Sequence, residues 1–235
     1  MKTQPFLIVA SQRSGGTFLA HALSNHPQVF CDRGESLHGR GVWHRVTTMS
    51  NEQIIEAMFS QQFYHASGFK LNWPGRDWDG LSLPIIQRMS PRIILLTRED
   101  KVRQAISILY LKAGKRAHPG FSVHSDNGER PSFRVRIEPD EVLHWCGRLN
   151  GIAKVARRAI REAGLRCMEI TYEQMTGSAD ESAECIRPDV AQQLCEFLNV
   201  DDHPLCAGLR KLSPRDLSEI VSNWDEIRQA AGGAK

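Results

Sequence analysis

Residues 5–17 read PFLIVASQRSGGT: a short apolar run of strand length, Pro5 to Ala10, then a polar turn, Ser11 to Ser14, then Gly15, Gly16 and Thr17. The stretch that follows, FLAHALSNH (18–26), spaces Phe18, Leu19, Ala22 and Leu23 at helical intervals. Strand, glycine turn and helix form the unit from which the fold is read. A second apolar run, RIILLT (92–97), reads as a fully buried strand, and a helix follows it with Val102, Ala105, Ile106 and Leu109 on one face.

Working outward, Ser50 followed three residues later by Gln53 is a capping box that opens a helix near 51–61. A strand is expected at 66–71 (ASGFKL), a turn-rich loop at NWPGRDWDG, and a helix at Leu83–Met89. Pro139, with Asp140 and Glu141 beside it, opens a long helix to about 163. A strand (RCMEITY, 166–172), a helix near 188–199 and a last helix opening with Ser213, Pro214 and Asp216 complete the chain. Strands alternating with helices predict an α/β fold: a three-layer, P-loop-like domain whose mainly parallel central sheet is flanked by helices, with residues 1–235 forming a single domain. Residues 114–133, rich in Gly, Pro, Ser and charge, read as a long mobile loop or lid. In such a sheet ligands bind outside the carboxyl ends of the strands, which puts Ser11–Thr17 and Thr97–Asp100 at the same end.

With 235 residues, 41% hydrophobic and 24% charged, the chain has a globular composition that excludes a coiled coil or a disordered tail. No apolar run reaches the roughly 20 residues of a membrane span, and the start lacks the marks of a signal peptide, so the expected location is cytoplasmic. The six cysteines are scattered without metal-ligand spacing, and read most simply as reduced thiols, with no metal site. The formal charge of +3 hides a strong asymmetry: residues 92–116 hold seven basic and two acidic groups, whereas 167–235 hold six and thirteen. The basic segment is either a solvated helix face or the seat of a compact polyanion.

A turn that joins a strand to a helix N-terminus offers unpaired amide N–H groups and the positive end of the helix dipole, an anion site. Many glycine turns of this kind bind nothing, so the turn alone leaves both readings open. It is not the GxxxxGK[ST] loop of a nucleotide triphosphatase, because Thr17 and Phe18 follow the glycines where that loop needs Lys; the nearest cation is Arg13. Arg98, at the carboxyl end of the buried strand, can fork two donors onto a phosphate, with Ser107 on the next helix adding a hydroxyl; the alternative is pairing of Arg98 with Glu99 or Asp100.

Taken together, QRSGGT before an apolar helix, GES, GFKLNW and LLTREDKVRQAIS resemble the sulfotransferases that use 3′-phosphoadenosine 5′-phosphosulfate (PAPS). The order is similar to the bacterial carbohydrate branch, which includes nodulation-factor and trehalose sulfotransferases. ITYEQM, CEFLNV and LRKLSPRDLSEIVSNWDEI extend the resemblance over nearly the whole chain. It implies that Gln12, Arg13, Ser14, Gly15, Gly16 and Thr17 cradle the 5′-phosphosulfate, with Arg13 near the leaving oxygen. It also implies that Arg98 and Ser107 bind the 3′-phosphate, that Tyr172 touches the adenine and that Lys211 closes over the 3′-phosphate. Glu35 stands where the family has its general base, which takes the proton of the attacking hydroxyl; His38 and His44 are alternatives for that role. Gly16 departs from the pattern, since many relatives carry Ser or Thr there.

On this reading PAPS is the donor, adenosine 3′,5′-bisphosphate (PAP) the product, and no metal is expected. The acceptor is a hydroxylated small molecule, expected to contain carbohydrate. Trp73 and Trp78 are candidates to stack on sugar rings, with His38 and Lys70 beside them; ordinary packing is the competing reading for the tryptophans. A homodimer is an expectation from the carbohydrate branch. The rival readings are a non-catalytic nucleotide-binding module and a divergent P-loop kinase. A nucleic-acid binder fits poorly with the acidic C-terminal third.

Overall fold

The computed structural model describes residues 3–33, 50–73, 83–117, 133–177, 183–208 and 216–232. Glu35, His38, His44, Trp78, Lys211 and residues 118–132 of the expected loop lie outside the described residues. Chain packing divides into two compact units, Met1–Thr97 with Ile152–Leu209, and Arg98–Gly151 with Arg210–Lys235.

The first unit holds a five-stranded, fully parallel sheet of β1 (Gln4–Ala10), β2 (Val29–Asp32), β3 (Ala66–Asn72), β4 (Arg92–Thr97) and β5 (Cys167–Thr171), in the order β2-β3-β1-β4-β5. Strand β1 is central, pairing Gln4 with Ala66 on one side and Phe6 with Arg92 on the other. Because side chains alternate along a strand, β1 serves two cores. Phe6, Ile8 and Ala10 face α1 (Gly16–Ser24) and the late helix Pro188–Leu198, through Leu19, Leu23, Val190 and Leu194. Leu7 and Val9 face α2 (Asn51–Phe59), α3 (Leu83–Met89) and the end of the long helix, through Ile54, Met58, Ile85 and Ile160. The expected three-layer α/β/α architecture is therefore present. Ser50 caps α2 with the expected box, its hydroxyl accepting from Gln53 N and its own N–H donating to Gln53 Oε1.

In the second unit, α4 (Lys101–Ala117) runs further than the sequence reading, which began the loop at residue 114. Asp100 caps it, its carboxylate accepting from Arg103 N at 2.8 Å. The helix α5 (Pro139–Glu162) opens at the expected proline. Ahead of α5, Val135 bridges Val221, and the buried Asn223 both accepts from Ile137 N (3.1 Å) and donates to Ile137 O (2.9 Å). Arg136 forks onto Glu226 at 3.1 and 2.9 Å. The last helix, α8 (Trp224–Gly232), follows a 3-10 turn at Leu217–Glu219 that Asp216 caps.

Further findings depart from the sequence reading: the last helix starts at Trp224, after the turn that Asp216 caps, instead of opening at Ser213. Strand β2 was not foreseen. Tyr172 opens a short helix, α6 (Tyr172–Thr176), instead of ending β5: Thr171 is its N-cap, in a capping box with Gln174. The expectation of wholly reduced cysteines is corrected by a disulfide between Cys185 and Cys206. The segments around them pair as antiparallel neighbours, Ile186 N to Leu205 O and Ala207 N to Glu184 O, on either side of α7 (Pro188–Leu198), which brings the two thiols face to face. Among the described residues no helix is long and apolar enough to cross a membrane, and no group of His, Cys, Asp or Glu is placed to hold a metal ion.

Candidate anion site

The turn between β1 and α1 is built from its backbone. Arg13 and Gly15 both have positive φ, 61° and 94°. Arg13 adopts this left-handed region at a cost of order 1–3 kcal/mol, a strain of the kind that ligand clamps hold. Ser14 is completely buried and donates twice to Ser11 O, from its N–H at 3.3 Å and its hydroxyl at 2.7 Å. Its donors therefore shape the turn. Gly15 then caps α1 without a side chain, and no acidic residue stands in the first turn. The amides that open a helix have no partner within it, so this end carries the unbalanced positive charge of the dipole.

Two side chains from elsewhere in the first unit complete the turn. Lys70, on β3 and only 8% exposed, donates from Nζ to Thr17 Oγ1 at 3.2 Å. Its stem passes Gly16 so closely that a Cβ there would sit 3.0 Å from Lys70 Cδ and 3.0 Å from Ala10 Cβ. The absence of a side chain at Gly16 thus leaves room for the Lys70 stem. Tyr172 lies against the other glycine: a Cβ on Gly15 would fall 2.4 Å from Tyr172 Cδ2.

Electrostatically the site is positive. His21, one turn beyond Thr17 on α1, has its pKa held below the ordinary value by burial first, then by the positive charges of Arg33 and Lys70. Sequence reasoning missed His21 and Arg33, although the i, i+4 spacing of Thr17 and His21 on a helix would have put them on one face. Cys31, buried beneath, has its thiol pushed up by desolvation and stays protonated.

Trp73 is buried in the core of the second sheet face, its backbone N–H donating to Ala10 O at 2.7 Å, so its ring offers almost no surface for stacking. Gln12 is exposed and Arg13 half-buried at the turn. In the second unit Arg98 is 5% exposed, its carbonyl accepting from Lys101 Nζ, and Ser107 is half-buried on α4. One turn before Ser107, Gln104 is a wholly buried polar residue that the sequence reading did not single out.

No protein-family model matches the chain, and no curated protein matches it. Among solved structures, a sulfotransferase domain from the curacin biosynthetic pathway is similar with a TM-score of 0.49 and 14% identity, over 87% of this chain and 77% of that one.

Proposed function

We propose that this chain is a sulfotransferase that moves a sulfonate group from PAPS to a hydroxyl of a carbohydrate or glycosylated small molecule. The observation that carries the reading is the Lys70 to Thr17 contact at the start of α1. A nucleotide triphosphatase takes its phosphate-binding lysine from the loop itself. Here the loop has none, and the cation arrives from the neighbouring strand, beside a helix end without acidic residues. That arrangement suits a compact anion of the phosphosulfate class, and the ordered motifs along the chain point to the same donor.

In this reading the acceptor oxygen attacks sulfur, a new S–O bond forms, and the bond from sulfur to the 5′-phosphate oxygen breaks. The hydroxyl proton goes to Glu35. The amides at Gly15–Thr17, with Lys70 and Arg13, stabilise the charge that grows on the departing phosphate. Arg98 and Ser107 hold the 3′-phosphate of the donor. Lys70 thus moves from the acceptor side, where the sequence put it, to the donor side.

Thermal-shift measurements test the reading directly. Stabilisation by PAP and transfer of labelled sulfonate to at least one glycosylated acceptor are expected. Stabilisation by Mg-ATP with indifference to PAP would overturn it in favour of a kinase. Binding of PAP without transfer to any acceptor, by a protein in which Glu35→Gln changes nothing, would favour the non-catalytic module.

A further inference from the structure

We infer that Tyr172 is a positioning residue for the anion loop, holding Gly15 in its left-handed conformation, instead of acting only through the base of a nucleotide. The inference deepens the reading above and rests on the same loop being an anion site. Its basis is the approach of ring and backbone. The Tyr172 ring occupies the volume where any side chain at Gly15 would begin, and Tyr172 is 8% exposed, so the ring is wedged between loop and core. Gly15 is the N-cap of α1 at φ 94°, and the direction of the amides at the helix start follows from its dihedral angles. A wedge at this point therefore sets where the N–H donors aim.

The wedge is itself held. Thr171 and Gln174 close a capping box around the start of α6, and Thr176 Oγ1 donates to Tyr172 O at 3.0 Å. Met175, fully buried, accepts at its carbonyl from Arg187 N at 2.8 Å, two residues from the disulfide at Cys185. A five-residue helix has little stability of its own. These ties fix it, and through Tyr172 they fix the loop.

The two roles for Tyr172 separate by choice of ligand. Inorganic pyrophosphate probes the loop with no base attached, and PAP probes loop and base together. Affinities are measured for the wild type, Tyr172→Phe, Tyr172→Leu and Tyr172→Ala, with amide hydrogen exchange of residues 11–17 recorded in each. A lost hydrogen bond to a charged group is worth about tenfold or more in affinity, so the positioning role predicts at least about a tenfold loss for Leu and Ala. The loss should be equal for pyrophosphate and PAP and accompanied by faster exchange at Gly15–Thr17, with Phe restoring both. Should Ala not fold, Leu retains core volume without the flat ring. Weakened PAP binding with unchanged pyrophosphate binding and unchanged exchange would overturn the inference and leave an adenine contact. A wild type that binds pyrophosphate but not PAP would sink the sulfotransferase reading while the pyrophosphate series still decides the role of Tyr172; a wild type that binds neither overturns both.

Discussion

Lys70 reaches across from β3 to the first turn of α1 and donates to Thr17 Oγ1 at 3.2 Å, its stem passing so close to Gly16 that a Cβ there would meet it at 3.0 Å. This pair links the sheet to the glycine loop, and the first expectation follows from it. Lys70→Met keeps the stem and removes the charge. A lost charge-assisted contact is worth roughly 1.5–3 kcal/mol, so pyrophosphate affinity should fall about ten- to a hundredfold while the melting temperature changes little. Calorimetry on the purified variant measures it.

Gly16→Ser, which introduces a side chain beside the Lys70 stem, should impair this protein. Its Cβ would press on Ala10 Cβ and the Lys70 stem at 3.0 Å each. Overpacking of this kind costs about 1–3 kcal/mol. Denaturant unfolding should show the loss of stability, and anion affinity should drop as Lys70 is displaced. Greater activity in the serine variant would refute the spatial trade between positions 16 and 70.

His21 gives the site a pH signature. Its folded pKa is depressed below 6.5, mainly by burial and then by Arg33 and Lys70. In this range the unfolded chain binds more protons than the folded one, so stability rises with pH up to about 6.5 and is lost as pH falls below it. His21→Gln should flatten that part of the stability profile. A bound polyanion offsets the neighbouring cations, so pyrophosphate should raise the His21 pKa, visible by NMR titration of its ring.

Arg98→Lys tests the proposed grip of Arg98 on the 3′-phosphate of PAPS. Arginine forks two donors onto one phosphate where lysine offers a point charge. Binding of PAP should weaken about tenfold or more, with adenosine 5′-phosphate nearly unaffected. Equal weakening of both nucleotides would place Arg98 away from the 3′-phosphate.

The disulfide closes a loop with a sequence separation of 21 residues. A cross-link of that span stabilises by about 3 kcal/mol. Cys185→Ser, or dithiothreitol, should lower the melting temperature of the protein, and mass spectrometry without reductant should recover one Cys185–Cys206 peptide pair.

Much of the fold was legible because its central strands are long apolar runs. PFLIVA and RIILLT lie with helices on both faces, where burial on two sides favours apolar residues. Strand β2 was not legible: it has four residues, sits at the sheet edge, and alternates buried Val29 and Cys31 with half-exposed Phe30 and Asp32. The end of β5 was misread at Tyr172, although the Thr171 to Gln174 spacing was a helix signal in plain view. At the site, the sequence located the loop but not its use of side chains. The inward turn of Ser14, the burial of Trp73 and the seat of Lys70 beside Gly16 all depend on contacts between segments far apart in the chain. The cysteine pair was hidden for the same reason, since nothing local marks two thiols on either side of a helix.

The central place of β1 bears on how the protein is made. The strand that carries the glycine loop leaves the ribosome before its neighbours β3 and β4, which are complete only at Asn72 and Thr97. Until then an apolar segment with two open edges waits in the nascent chain, a form prone to pairing with other chains. Fragments that stop short of Thr97 should therefore aggregate, and the loop cannot be studied as a short peptide: its shape belongs to strands made long after it.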